Sequence, residues 1–419
     1  MNENLLQFIW RFQYFNKLNL FTVQGDPVEI IHPGTLNTNQ GPDFSNAKVK
    51  IGHTLWAGTV ELHIKTSDWL KHGHNSDDNY KNVVLHVVYE DDVARNDLPV
   101  LELSGLIPGV LIRRYNSLMQ SQRFIACEQL IHKVDGLTIN SWKDRLVAER
   151  LHRKAMQIED YLCGNKQHWE ESFWWLLARN FGTKTNAETF EAIAKSTSIK
   201  LLARHKSNLI QLEALLLGQA GLLNRARYQD KYVLLLDKEY AFLKTKYKLC
   251  TVIFPVHFLR MRPGNFPTIR LAQLAALIHN SAHLFSRIVE EPQLTEVKKW
   301  FAVAPNDFWN YHYTLIDDPK FLKKPIGEDM VNNIVINTVV PMLFAYGKKH
   351  HNGAIKEKAL QWLEALSAER NSVTRGFQQL GVLNKNAYDS QAFVELKTQY
   401  CNHRKCLNCA IGNAVIKST

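Results

Sequence analysis

Apolar side chains recur at helical spacing over residues 5–15, with Asn4 placed to cap them, and this predicts a first helix. Residues 28–32 then read as a strand closed by Pro33-Gly34. Residues 44–51 and 55–65 read as two strands joined near Gly52-His53, which makes a hairpin. Residues 67–80 are polar and rich in His and Asp, a short helix or ordered loop with Ser67 as its cap. Residues 83–89 are almost continuously apolar, as a strand covered on both faces would be, and 98–103 adds an edge strand with Pro99 restricted to its start. From about residue 137 the period lengthens to that of helices, over 142–162, 169–181, 187–194 and 199–217, punctuated by Pro255, Pro263-Gly264, Pro267 and Pro341. No repeat of fixed period interrupts it. The expected class is α+β, a mixed sheet with flanking helices over 1–135 followed by a mostly helical domain over 136–419.

Within residues 60–65 side chains alternate faces, so Glu61, His63 and Lys65 point one way while Val60, Leu62 and Ile64 point to the core. Ionisable groups on a covered strand cost several kcal/mol unless a partner or metal compensates them. Asp43 lies just before the paired hairpin strand, so its carboxylate is expected beside Glu61, and a shared Mg²⁺ or Mn²⁺ would relieve their repulsion. Phosphodiester cleavage needs such a cation, together with a Lys or His that orients water, and His63 or Lys65 is placed for that. The alternative for Asp43 and Glu61 is plain hydrogen bonding within turn and sheet. His72, His74 and Asp78 offer a zinc set if their segment is helical; a solvated polar helix is the competing reading.

Composition changes the picture in two places. With 45% hydrophobic and 22% charged residues in 419, the chain is an ordinary globular one, long enough for two or three cores. No apolar run nears the roughly 20 residues that span a bilayer, and the first residues do not resemble a signal peptide, so a cytoplasmic location is expected. The net charge of +11 is unevenly spread: residues 1–110 carry 8 Lys and Arg against 13 Asp and Glu, and the rest carry 43 against 27. An acidic front suits cations and a basic body suits a polyanion such as nucleic acid, although surplus surface lysine for solubility gives the same balance.

Three of six cysteines crowd into Cys401-Asn402-His403-Arg404-Lys405-Cys406-Leu407-Asn408-Cys409. Cys406 and Cys409 have the spacing of a metal knuckle, with Cys401 beside them and a fourth ligand from His403 locally or Cys127 from afar; buried, unmetallated thiols are the alternative. Cys163 and Cys250 are expected in the core. Arg260, Arg262 and Arg270, interleaved with Phe266 and two prolines, suit phosphate forks and a stacked base, or else a rigid loop pinned by arginine. No Walker-type loop or dinucleotide fingerprint is present, and no nucleophile comes with an identifiable base.

The order helix, three strands, helix, strand, with Pro42-Asp43 and then Glu61, resembles the PD-(D/E)xK nuclease superfamily, with His63 where that pattern holds lysine and Lys65 two residues later. The resemblance implies a restriction-endonuclease-like sheet and divalent-metal cleavage of DNA or RNA, with Asp43 and Glu61 as metal ligands. Over nearly its full length the chain also resembles a bacterial family defined only as a domain of unknown function, through Gly41-Pro42-Asp43-Phe44, Val60-Glu61-Leu62-His63, Ser67-Asp68-Trp69, His86-Val87-Val88-Tyr89-Glu90, Arg262-Pro263-Gly264-Asn265-Phe266-Pro267 and the terminal cysteines. The cysteines further resemble the iron-sulfur clamp of some PD-(D/E)xK exonucleases, which implies Cys127, Cys401, Cys406 and Cys409 as ligands of a structural 4Fe-4S cluster, zinc being the other candidate. Two rivals to the nuclease stand: a non-catalytic nucleic-acid-binding or scaffold protein on the same fold, and a zinc hydrolase.

Overall fold

A computed structural model describes residues 1–95, 97–223, 230–250, 252, 254–259, 261–316 and 321–417. The chain forms two compact units, one of Met1–Asp144, Gly376–Val382 and Val394–Thr419, the other of Arg145–Arg375 and Leu383–Phe393.

The first unit is built on helix α1 (Glu3–Phe12), strands β1 (Val28–His32), β2 (Thr35–Leu36), β3 (Phe44–Ile51), β4 (Thr54–Lys65), β5 (Val83–Glu90) and β6 (Val100–Glu102). Asn2, not Asn4, caps α1, its side chain accepting from the Leu5 N–H, and Gln13 in the left-handed region ends it. Leu5, Leu6, Ile9 and Trp10 then fall on the buried stripe. The sheet runs β1-β3-β4-β5-β6 with β2 on β3; β1, β3 and β4 are antiparallel, whereas β4, β5 and β6 are parallel. β4 is therefore the strand at which the sheet changes sense. Its exposed start forms the hairpin with β3, and its second half is buried on both faces, Glu61 and His63 included. Ser67 occupies the expected cap position but makes no cap bond; its hydroxyl donates to Asp92 instead. The helix it precedes, Asp68–Lys71, is a single turn, and two 3-10 turns, His74–Ser76 and Asp78–Tyr80, follow it.

The sequence expectation closed the sheet domain at residue 135 and left the cysteine-rich end with the helices. The compact units place that end with the sheet, because the terminal helix Ala410–Lys417 buries Ile411, Val415 and Ile416 on the helix Gly109–Gln120.

The second unit is helical. The expected 169–181 is seen as Trp169–Phe181, while the expected single helix over 199–217 is two, Ile199–Arg204 and Leu209–Gln219, because Asn208 caps the second through the Gln211 N–H. Glu328–Lys349 is continuous and, by length and composition, apolar enough to cross a membrane, with 72% of its most apolar window buried within the fold.

Candidate metal centre

Parallel pairing sets Glu61 of β4 opposite His86 of β5, with His63 next on the same face of β4. All three are nearly inaccessible, at 5%, 0% and 1% exposure. After β4 the chain turns through Asp68–Lys71 and returns His72 and His74 over this face. Gly73, at φ +73°, breaks the helix between them and gives the two imidazoles independent directions.

The result is a convergence on one carboxylate oxygen. Oε1 of Glu61 lies 3.5 Å from His63 Nε2 and 3.4 Å from His74 Nε2. His63 Nε2 is 3.1 Å from His72 Nδ1, and the donor nitrogens of His63, His72 and His74 all lie within 4.8 Å of one another. Glu61's other oxygen, Oε2, accepts the Asp43 N–H at 2.9 Å; Asp43 in turn accepts the Leu62 N–H at 3.1 Å and Gln7 Nε2 at 2.8 Å. Trp69 packs edge-on to His63 and His74, and Tyr80 stacks on His74 at 3.8 Å between ring centres.

Burial dominates the electrostatics. It pushes Glu61 up to about 8, with Asp43 adding repulsion, and Asp43 up to about 6 against the pull of the Leu62 N–H. Burial and the neighbouring imidazoles hold His63 down at about 3, and burial lowers His74 for the same reason. His63 and His74 are thus neutral, the form that ligates metals, and Glu61 carries a proton that a cation would displace. His74 Nε2 is buried without a hydrogen-bond partner among the described residues, facing Glu61. Three imidazoles and a carboxylate, one nitrogen left unpaired, fit a divalent transition metal such as Zn²⁺ better than the oxygen-preferring Mg²⁺.

Two expected members stand elsewhere. Lys65 extends toward solvent, its Nζ 3.9 Å from both Glu90 and Asp92, because the last residue of β4 has left the covered part of the sheet. Asp78 is 86% exposed and pairs with Lys81, since the break at Gly73 places it in a separate turn from His74. The zinc set read from sequence therefore gains His63 and Glu61 and loses Asp78. His86 was not anticipated as part of the site, although a histidine inside an apolar strand run was its visible signal; Gln7 and Tyr80 carried none.

The family model described as "Protein of unknown function (DUF2851)" matches residues 3–372. The chain belongs to this family. No curated protein and no solved structure matches it. The stretch matched to DUF2851 contains the whole imidazole site and Cys127, while His403, Cys401, Cys406 and Cys409 lie beyond it.

The remaining candidates divide. Arg260 lies outside the described residues. Arg262 is exposed, whereas Arg270 is buried and donates to Asn265 and Gln273, which ties the turn Pro263–Asn265 to the helix Pro267–Asn280. Cys127, Cys406 and Cys409 are buried, Cys401 is half-buried and His403 is exposed. Cys163 and Cys250, expected in the core, are exposed, the first near the end of the helix Gly136–Gly164 and the second in the loop after Lys231–Tyr247.

Proposed function

We propose that the sheet unit is a divalent-metal-dependent hydrolase whose substrate class is the phosphodiester of a nucleic acid. The observation that carries the reading is the gathering of the His63, His72 and His74 nitrogens within 4.8 Å of one another, with Glu61 Oε1 beside His63 and His74. His63, His72, His74 and Glu61 would hold the metal, which would polarise a phosphoryl oxygen and lower the pKa of water. Asp43, whose carboxyl sits near 6 beside Glu61, is charged at neutral pH and accepts the proton of the attacking water. Gln7 and the Leu62 N–H keep that carboxylate in place. Trp69, from the segment after β4, packs edge-on to His63 and to Tyr80 beside the site. The excess of Lys and Arg beyond residue 110 supports a polyanionic substrate.

The test is cleavage of labelled single- and double-stranded DNA and RNA by the full chain with Zn²⁺, Mn²⁺ or Mg²⁺, alongside His72→Ala and Asp43→Asn. Metal-dependent cleavage lost in both variants supports the hydrolase. Metal bound in equal amount to the protein, with no cleavage of any of these polymers under any of the three ions, removes the proposal in favour of a non-catalytic binding module.

A further inference from the structure

Helix α1 turns two faces to different surroundings. Leu5, Leu6, Ile9 and Trp10 are buried, while Gln7 and Arg11, one helical turn apart, line a cleft of about 320 Å³ within the sheet unit. Across that cleft stands the turn after the π-helical residues Leu396–Cys401, which contributes His403, Arg404 and Lys405. Arg404 takes φ +51° and donates to the carbonyls of Leu118 and Met119, so the turn is fastened to the end of the helix Gly109–Gln120 and its cations are held at the wall.

The lining is cationic and carries no counter-charge. Among the described residues no aspartate or glutamate lines the cleft, and neither Arg11 nor Lys405, both exposed, forms an ion pair. Other exposed lysines of this unit do pair, Lys71 with Asp68 and Lys81 with Asp78. Like charges gathered in a concavity repel until an anion enters, and the concave wall focuses their field on it. Phe12 adds ring surface to the same cleft: it is 39% exposed, with the Arg11 guanidinium 5.3 Å from its centre. Unpaired cations interleaved with an exposed aromatic ring are what a single-stranded nucleic acid requires, phosphates going to the cations and a base to the ring. The volume is that of a small-ligand site, which suits a nucleotide unit and not a duplex.

One side chain joins this cleft to the metal centre. Gln7 lines the cleft, and its Nε2 donates to Asp43 Oδ1 at 2.8 Å; the Asp43 N–H in turn donates to Glu61 Oε2 at 2.9 Å. The cations and the carboxylates are thus separated along α1 by a single turn, from Arg11 to Gln7, and by the length of the Gln7 side chain.

We infer that this cleft holds a single-stranded nucleic acid beside the metal centre, its phosphates on Arg11 and Lys405 and a base on Phe12, with the strand passing Gln7 to reach Asp43. The inference rests on the phosphodiester reading of the metal centre, but binding and cleavage are measured apart. Fluorescence anisotropy follows labelled phosphorothioate oligothymidylate, which resists hydrolysis, and a duplex of equal length, bound to the full chain over a range of salt. The single strand is expected to bind more tightly than the duplex. Arg11→Ala and Lys405→Ala should each weaken its binding and lower the slope of log affinity against log salt by about 0.7, while Arg11→Lys keeps the slope. Phe12→Ala should weaken binding by about 5- to 150-fold with the slope kept, and Lys50→Ala, at an exposed position of β3, should match wild type. Wild-type affinity in both Arg11→Ala and Lys405→Ala, equal losses in Lys50→Ala, a duplex bound as tightly as the single strand, or no binding overturns the inference. The two readings fail differently. Binding that depends on Arg11 and Lys405, without cleavage of unmodified strands, removes the hydrolase and keeps the cleft; cleavage that Arg11→Ala and Lys405→Ala leave unchanged removes the cleft and keeps the hydrolase.

Discussion

His63 and His86, on adjacent parallel strands, are joined ring to ring, with Nδ1 of the first 2.9 Å from Nε2 of the second inside the sheet unit. For His63 to present the lone pair of Nε2 to a metal, its Nδ1 must carry the proton and donate to His86. His86 then carries its own proton on Nδ1, an atom that is buried without a partner among the described residues. An unpaired buried N–H costs about 1–3 kcal/mol, and holding His63 in the ligating tautomer is what offsets it.

His86 is therefore expected to act on metal affinity without touching the metal. His86→Ala should weaken Zn²⁺ binding by about 10- to 100-fold, and His86→Gln, which can still accept from His63, should recover part of the loss. Competition titration with a zinc chelator measures this. Wild-type affinity in His86→Ala would remove the tautomer argument.

Gly73 holds a positive φ with no atom within 4 Å of where a Cβ would stand, so substitution there strains the backbone and nothing else. Gly73→Ala is expected to cost about 1–2 kcal/mol of stability and to weaken zinc binding, because His72 and His74 depend on that break; Gly73→Asn, more tolerant of the left-handed region, should do less harm. Thermal melts and the same titration compare the three proteins. Equal behaviour of the Ala and Asn variants at wild-type affinity would show that the break is not needed.

Lys65 and Asp43 separate two ways of handling water. Lys65 is nearly half exposed and paired only at 3.9 Å, so Lys65→Ala should leave metal-dependent cleavage within about twofold and stability within about 1 kcal/mol. Asp43→Asn should lower the cleavage rate by about 100-fold or more while metal remains bound. A large loss in Lys65→Ala would mean that the lysine enters the site during turnover.

Glu213, in the helical unit, gives a pH dependence of stability free of any metal. Burial raises its carboxyl to about 7; its Oε2 accepts from the Tyr232 hydroxyl and the Trp309 indole, while Oε1 has no partner among the described residues. The folded value exceeds the unfolded one of 4.5, so the folded state keeps a proton that the unfolded chain releases. Its contribution is fully favourable below the unfolded value and is lost as pH rises through the folded value. Glu213→Gln should be close to wild type near pH 5 and more stable by about 2–3 kcal/mol at pH 8, as read by urea unfolding. Equal stabilities at pH 8 would place the proton elsewhere.

Much of this molecule was legible along the chain. Alternation and helical periodicity are local properties, so the strands Val28–His32 and Phe44–Ile51 and the helix Trp169–Phe181 were readable within a residue or so, as was the anomaly of Glu61 and His63 on a covered strand. So was the mixed α+β class. The errors were local too. Asn4 and Asn2 are equally good caps on paper, and only the backbone geometry selects Asn2. Residues 199–217 keep their apolar period across a break set by one asparagine.

The identity of the site depended on relations that no local pattern encodes. The sequence by itself determined that carboxylates and imidazoles would be buried in one sheet, because strand alternation dictates which side chains share a face. Tertiary structure decided which of them meet. Parallel register put His86 behind His63, the left-handed Gly73 returned His72 to His63 and His74 to Glu61 while sending Asp78 outward, and the end of sheet cover released Lys65 to solvent. Packing of the terminal helix likewise brought Cys401, Cys406 and Cys409 toward Cys127. Ligand convergence is set by angstrom-scale positions of segments far apart in sequence, and those positions follow from the packing of the unit as a whole.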